Sequence, residues 1–196
     1  NENQVEVLLV KNATQVTKEL IDACPSLKII GKGGESMDNI DVEYAKSKGI
    51  HVINTPNAFA KSVAELVFAH FLTLIRFLHD SNRNMPLEGD TKFAFLKKSY
   101  EKATELSGKT LGIIGFGNIG KEVAKIGIGL GMKIIFYTRK PKTDTISLEF
   151  FDGRTIDFEF TSIQDMEAFL KEADFISINT SETPEYIIDT PEFEMM

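Results

Sequence analysis

The amino-acid sequence predicts an α/β protein with parallel sheets, and two features of the chain indicate this class. Short apolar runs alternate with stretches of helical periodicity, which is the strand and helix order of a parallel sheet covered by helices. One apolar run, 109–115, leads through a glycine-rich turn directly into a helical stretch at 118–130. A polar segment at 81–90 interrupts this alternation, so we predict two domains, 1–81 and 82–196.

The composition excludes several classes of protein. The chain has 196 residues, 42% hydrophobic and 26% charged, which is typical of a globular protein. A net charge of −7 argues against a nucleic-acid partner. The single cysteine, Cys24, allows no intrachain disulfide and residues 1–4 are polar, so we expect a cytoplasmic location. The apolar stretch 63–78 contains charged residues and predicts a core helix and no membrane partner.

The first predicted domain alternates strands with helices. Thr14 is a suitable N-cap for its first helix, and Gly49 is a suitable end for its second. The predicted strands are 5–10, 27–30 and 50–53, and the predicted helices are 14–23 and 42–48.

A long apolar-periodic helix, 62–80, precedes the second predicted domain. Asp152-Gly153 favours a tight hairpin turn because glycine readily adopts positive φ. Thr190-Pro191-Glu192 reads as the start of another helix. The predicted strands are 109–115, 132–137, 146–150, 155–160 and 174–178, and the predicted helices are 118–130 and 162–171.

The glycine-rich turn is the motif that carries chemistry. Gly115 permits a tight turn, Gly117 lets the backbone approach a diphosphate, and Gly120 lets the helix pack close to the strand. Asn118 and Ile119 lie in the first helical turn, where free N–H groups and the helix dipole attract anions. In this strand and helix context the pattern predicts dinucleotide binding; the alternative is that the glycines serve only tight packing.

The choice between NAD and NADP stays open. An NAD site usually places an acid after the second strand, whereas this chain has Thr138, Arg139 and Lys140 there. The two cations could pair with a 2′-phosphate, or they could be solvated loop charges. Asp144 lies too far along the loop to be that acid without special geometry. Residues 179 and 180, Asn179 and Thr180, complete the predicted cofactor site.

Several ordered blocks along the chain carry a family resemblance: 27–31, 37–41, 49–56, 62–66, 106–117 and 173–177. They resemble the D-isomer-specific 2-hydroxyacid dehydrogenases, with the D-3-phosphoglycerate dehydrogenase branch as the best match. The resemblance implies two Rossmann-like domains, both incomplete in this chain, with an active site in the cleft between them. It also implies a homodimer and the oxidation of a 2-hydroxy acid, or reduction of a 2-keto acid, with 3-phosphoglycerate of serine biosynthesis as the suggested substrate.

The resemblance also implies a substrate loop. Gly33, Gly34, Glu35 and Ser36 look like the segment whose backbone N–H groups hold the substrate carboxylate. Lys11 and Lys32 stand where the phosphoglycerate branch tends to carry arginine, and a lysine can neutralise a phosphate only as a point charge. Glu35 would repel a bound carboxylate unless its side chain points away.

No catalytic residue is predicted within the chain. The family places its catalytic arginine, acid and histidine after the segment matched here, and its first strand and helix before Val5. The three histidines read as packing or surface residues, and no metal site is predicted: His51, His70 and His79. The leading hypothesis is that the parent protein is an NAD(P)-dependent dehydrogenase. The alternatives are a catalytically inactive cofactor-binding or interaction protein, and a dimerisation fragment without nucleotide affinity.

Overall fold

The computed structural model of the chain describes residues 4–181 and 183–196. Residue contacts divide it into two compact units, 1–60 and 61–196. Each unit contains a three-stranded parallel sheet with helices between its strands, which confirms the predicted α/β class.

The first unit is a parallel sheet in the order β1-β2-β3. Its register pairs Leu8 with Ile30, and Ile30 with Val52. Ile30 is fully buried in a core with Val16 and Ala45, because the middle strand is covered by apolar side chains. The elements are β1 Val7–Val10, α1 Lys18–Asp22, β2 Ile29–Lys32, α2 Val42–Ser47 and β3 His51–Asn54.

The first helix begins later than predicted. Thr14 is not its cap, and α1 follows Thr17. The reason is a tertiary contact: the Val16 N–H donates to the Asn39 carbonyl at 2.7 Å, and the Asp41 N–H donates to the Val16 carbonyl at 3.0 Å. These bonds keep the backbone at Val16 in an isolated parallel bridge with Ile40.

The second unit contains a parallel sheet in the order β5-β4-β8 and an antiparallel hairpin, β6-β7. The central strand β4 has Leu111 and Ile113 fully buried beneath α5. The elements are α3 Ala60–Ile75, α4 Leu78–Ser99, β4 Thr110–Ile114, α5 Asn118–Gly129, β5 Lys133–Tyr137, β6 Thr143–Glu149, β7 Thr155–Thr161, α6 Met166–Glu172, β8 Phe175–Ile178 and α7 Thr190–Met195.

The segment after the long apolar helix differs from the prediction. Phe77 adopts a left-handed conformation with φ 53° and separates α3 from α4. The polar segment 81–90, expected to be irregular, lies inside α4 even though it contains Pro86. Phe68 of α3 is buried in the core of the second unit, and the two compact units meet at 60/61, whereas the sequence predicts a domain boundary at 81/82.

The predicted hairpin is confirmed, and it is longer than expected. Gly153 has φ 82° at the turn, and the ladder runs from Thr143 opposite Thr161 to Glu149 opposite Thr155. Ile146 of β6 is buried in the core of the second unit, which anchors the hairpin to the sheet.

Two helices near the end of the chain begin at aspartates. Asp165 caps α6, three residues after the predicted start at 162, and the Ser162 hydroxyl accepts a hydrogen bond from the Lys142 N–H at 2.9 Å. The predicted helix start at 190–192 is confirmed, with Asp189 forming a capping box with Glu192. Within the described ranges no single helix is long and apolar enough to cross a membrane; α3 and α4 meet that test only together, as a pair bent by 52°.

Candidate dinucleotide-binding site

The glycine-rich turn lies at the carboxyl edge of the β5-β4-β8 sheet. Gly115 has φ 90°, and a Cβ there would lie 2.7 Å from the Asn179 carbonyl oxygen and 2.8 Å from Thr180 Cγ2. The Asn179 N–H donates to the Ile114 carbonyl at 2.7 Å, which continues the pairing of β8 with β4. The structure therefore places Asn179 and Thr180 directly against the turn, and their contact with the cofactor stays a prediction.

The other two glycines of the turn have opposite surroundings. A Cβ at Gly120 would lie 2.3 Å from the Gly115 carbonyl oxygen, so only glycine lets α5 approach the strand this closely. A Cβ at Gly117 would meet no atom within 4 Å. Gly117 thus borders open space where a ligand could approach the backbone.

The amino end of α5 faces this open space without a side-chain cap. Gly117 is the N-cap, and the first turn contains no acidic residue. The Lys121 N–H makes the first intrahelical bond, to the Gly117 carbonyl at 3.0 Å. The N–H groups of Asn118, Ile119 and Gly120 lie ahead of that bond, where a helix offers donors and partial positive charge to an anion.

The predicted ribose-contacting residues form a turn after β5. The Thr138 hydroxyl donates to the Lys140 carbonyl at 2.7 Å. Arg139 and Lys140 are exposed, and neither makes an ion pair within the described parts of the chain. Both cations are therefore available to an anion.

Asp144 lies far along the loop in sequence, but the structure brings its carboxylate to the first turn of α5. Lys121 Nζ lies 2.7 Å from Asp144 Oδ1, and Lys142 Nζ lies 2.6 Å from Oδ2. The Asp144 side chain is only 15% exposed. Burial raises the pKa of this carboxyl, but hydrogen bonds from the two lysines outweigh it and leave the pKa below its ordinary value of 3.8.

The ion pairs of Asp144 should make stability depend on pH in acid. Because the folded-state pKa is depressed, ionised Asp144 stabilises the fold above pH 3.8, and this contribution is lost as the pH falls through the folded-state pKa. We expect Asp144→Asn to lower the free energy of unfolding near neutral pH and to differ less from wild type in acid. Urea unfolding from neutral to acid pH measures this difference in the free energy of unfolding, with Asp152→Asn at the exposed hairpin turn as the control. A difference independent of pH would contradict the linkage.

The predicted substrate loop lies in the first unit, after β2. The Gly33 N–H donates to the Val10 carbonyl at 3.0 Å, and the Gly34 N–H donates to Thr55 Oγ1 at 3.0 Å. Both N–H groups are thus hydrogen-bonded within the protein, whereas the resemblance implies that N–H groups of this loop hold the substrate carboxylate. Asn54 Nδ2 fixes the other side of the loop by donating to the Glu35 carbonyl at 2.7 Å.

Lys32 differs from a surface cation. It is buried, and its ammonium donates to Asn12 Oδ1 and Asn39 Oδ1, each at 2.6 Å. Asn39 is held in turn by donating to the Lys11 carbonyl at 2.8 Å. The Lys32 charge is therefore held by neutral amide oxygens directly beneath the loop; the side chain of Lys11 is exposed nearby.

The remaining predicted residues lie at the surface. Glu35 and Ser36 are exposed, and the Ser36 hydroxyl donates to Asp38. The three histidines are also exposed: His51, His70 and His79. In the portion of the chain that the structure describes, no three histidine, cysteine or acidic side chains are grouped so as to hold a metal ion.

Comparisons with known proteins show the family to which this chain belongs. The family described as "D-isomer specific 2-hydroxyacid dehydrogenase, catalytic domain" matches residues 2–190. A hydroxypyruvate reductase of Thermotoga maritima is 43% identical over 95% of this chain and 55% of its own length. A glyoxylate reductase of Thermococcus litoralis is 36% identical, over 98% and 56% respectively. A D-3-phosphoglycerate dehydrogenase of Methanocaldococcus jannaschii is 35% identical, over 97% and 34%.

Solved structures of dehydrogenases also align with this chain. A D-lactate dehydrogenase from Aquifex aeolicus, complexed with NAD and lactic acid, aligns with a TM-score of 0.66 at 29% identity, covering 100% of this chain and 56% of that one. A D-mandelate dehydrogenase from Rhodotorula graminis aligns with a TM-score of 0.75 at 21% identity, covering 97% and 56%, and supports the fold. The chain spans about half the length of the first two curated relatives.

Proposed function

Because the chain belongs to the D-isomer specific 2-hydroxyacid dehydrogenase family, we propose that its protein is an oxidoreductase that uses NAD or NADP to interconvert a 2-hydroxy acid and a 2-keto acid. The observation that carries this proposal is the glycine-rich turn. Gly117 borders open space at an uncapped helix amino end, and Gly115 packs tightly against Asn179. This is the arrangement that a dinucleotide diphosphate requires.

Different residues of the second unit hold different parts of the cofactor. The cofactor supplies or accepts the hydride. The diphosphate binds the backbone N–H groups of Asn118 and Ile119, where the α5 dipole stabilises its charge. The adenosine ribose lies toward the turn formed by Thr138, Arg139 and Lys140. The cations in that turn favour a 2′-phosphate, which supports NADP beside NAD as a cofactor.

The substrate loop provides charge for the 2-keto acid. Lys32 offers a buried positive charge whose partners are neutral, and a substrate carboxylate supplies the missing negative charge. The names of two relatives, a hydroxypyruvate reductase and a glyoxylate reductase, favour hydroxypyruvate or glyoxylate as the substrate. The second candidate is 3-phosphoglycerate, in serine biosynthesis; the exposed Lys11 beside Gly33 favours it, as a cation for the phosphate.

Two measurements on the full-length protein test the proposal, because this chain spans about half the length of the first two curated relatives. Titration with NADH and NADPH, followed by nicotinamide fluorescence, should show saturable binding. Oxidation of the bound cofactor should follow the addition of hydroxypyruvate, glyoxylate or 3-phosphohydroxypyruvate. Binding without turnover on any of these acids would favour the inactive cofactor-binding protein, and absence of binding would favour the dimerisation fragment.

Replacing the buried lysine should affect the acid and not the cofactor. We expect Lys32→Met to raise the KM for the 2-keto acid about tenfold, because a charge-assisted contact is lost. Its NADH affinity should match wild type. Steady-state kinetics and urea unfolding measure both effects, and Lys28→Met, an exposed lysine paired with Glu6, is the control. An unchanged KM would assign Lys32 to loop structure alone.

The proposal includes a homodimer, supported by apolar side chains on α3 and α4. Exposed apolar patches of this kind mark protein interfaces. We expect Leu87→Glu to weaken dimerisation at least tenfold, with Asn82→Glu on the same helix as the control, measured by light scattering. A wild-type monomer would contradict this part. The exposed residues are Leu66, Leu74, Leu78, Leu87, Phe93 and Phe95.

The proposed location is the cytoplasm. Only one cysteine is present in the sequence, and Cys24 is a free thiol. This usage is typical of reducing compartments, where disulfides are rare.

A further inference from the structure

One lysine of the hairpin is fixed beside the glycine-rich turn by both its backbone and its side chain. The Lys142 N–H donates to Ser162 Oγ at 2.9 Å, and the Lys142 carbonyl accepts from the Ser162 N–H at 2.8 Å. Lys142 lies directly before β6, and the bond from the Ser162 N–H follows the register that pairs Thr143 with Thr161. The start of the side chain is therefore fixed by the hairpin and not left to a mobile loop.

The Lys142 ammonium is directed at the turn. Its Nζ lies 3.3 Å from the carbonyl oxygen of Phe116, the residue between the first two glycines. The Phe116 ring stacks on Phe136 of β5, with centroids 4.0 Å apart, and packs edge-on against Phe160 of β7, 6.4 Å away. These contacts fix the turn against the same hairpin that carries Lys142.

Asp144 holds the ammonium in this place. Lys142 lies directly before β6 and Asp144 is the second residue of that strand, and the Asp144 carboxylate lies 2.6 Å from the Lys142 ammonium. Asp144 Oδ2 accepts from Lys142, while Oδ1 accepts from Lys121 and from the Thr145 N–H at 2.9 Å. With two lysines and one aspartate the cluster retains a net charge of +1.

The Lys142 ammonium retains a donor for a ligand. An ammonium has three N–H groups, and in the described residues its acceptors are Asp144 Oδ2 and the Phe116 carbonyl. The side chain is 44% exposed. A third N–H can therefore face the space at the turn without breaking either contact.

We propose that Lys142 contacts a phosphate group of the bound dinucleotide and that Asp144 is the residue that positions it. This inference rests on the proposed function, because it assumes that a dinucleotide occupies the turn. The phosphate is either in the diphosphate or at the ribose 2′ position. Nothing in the sequence pattern points to Lys142, since the hairpin brings it to the turn.

The test measures binding of adenosine, ADP and adenosine 2′,5′-bisphosphate to the purified protein by calorimetry. We expect Lys142→Met to weaken binding of a phosphate-bearing nucleotide about tenfold and to leave adenosine unchanged. Loss confined to ADP assigns the contact to the diphosphate, and loss confined to the bisphosphate assigns it to the 2′-phosphate. Lys142→Arg should retain most of the affinity. Lys171→Met, a paired lysine in the last turn of α6, is the control.

Three results would overturn the inference. Equal affinity of wild type and Lys142→Met for both nucleotides removes the contact while leaving the proposed function intact. If wild type binds no nucleotide, including NADH and NADPH, the proposed function fails and the inference fails with it. A loss of adenosine affinity equal to the loss of ADP affinity would show that the substitution damages the fold of the site and would also contradict a phosphate contact.

Asp144→Asn tests the positioning role through the sign of its effect. If Asp144 only adds negative charge near the phosphate, removing it should tighten ADP binding. If it positions Lys142, ADP binding should weaken about threefold, and the double variant with Lys142→Met should be no weaker than Lys142→Met alone. Tighter binding, or additive losses in the double variant, would overturn this role.

Discussion

Gly117→Leu should abolish cofactor binding while leaving the protein folded. The backbone of Gly117, with φ −91° and ψ −156°, is accessible to any residue, and its Cβ would meet no protein atom within 4 Å. The leucine side chain would occupy the space proposed for the diphosphate. We expect at least a hundredfold loss of NADH and NADPH affinity, measured by nicotinamide fluorescence, with an unchanged melting temperature.

The matched control lies at the opposite end of the same helix. Gly129 also has no atom within 4 Å of an added Cβ, so Gly129→Leu makes the same chemical change away from the turn. It should bind both cofactors as wild type does. Wild-type affinity in Gly117→Leu would contradict the placement of the diphosphate and, with it, the function proposed for this site.

Gly120→Ala should have the largest effect on stability. Its new Cβ would lie 2.3 Å from the Gly115 carbonyl oxygen, and the next contacts are Ile113 Cγ2 at 3.2 Å and the Gly115 carbonyl carbon at 3.3 Å. Relief requires α5 to move away from β4, because backbone atoms cannot rotate aside as side chains do. We expect a loss of about 3 kcal/mol in the free energy of unfolding and a fall of about 10 °C in Tm.

The chain contains no tryptophan, so circular dichroism is the suitable measurement for this variant. Gly117→Ala is the control, since it adds the same methyl group three residues earlier in open space. It should melt within about 2 °C of wild type. A Gly120→Ala protein as stable as this control would show that α5 is not held against the strand as tightly as described.

The glycine-rich turn illustrates how far local sequence reasoning extends. Each of its three glycines was assigned a separate physical role from spacing alone. The structure places Gly115 and Gly120 in close backbone contacts, and leaves Gly117 open. The two close contacts follow from local sequence because the turn, the strand before it and the helix after it are contiguous in the chain, and the approach of a ligand at Gly117 stays a prediction.

The charges around that turn could not be assigned in the same way. Asp144 lies beyond β5, and its carboxylate reaches Lys121 only because the β6-β7 hairpin folds back over the start of α5. The separation of Asp144 from α5 along the sequence therefore does not indicate how close its carboxylate lies to Lys121. Lys32 is a similar case, since its partner Asn12 is twenty residues away in sequence and lies on the loop after a neighbouring strand.

By itself the sequence determined the α/β class, most strands and helices, and the glycine turn, because these depend on periodicity and on residues close together along the chain. Tertiary structure decided where α1 begins and which charges meet beside the turn. Those outcomes depend on hydrogen bonds and ion pairs between distant segments, such as Val16 with Asn39, whose energies outweigh the local preferences of capping residues.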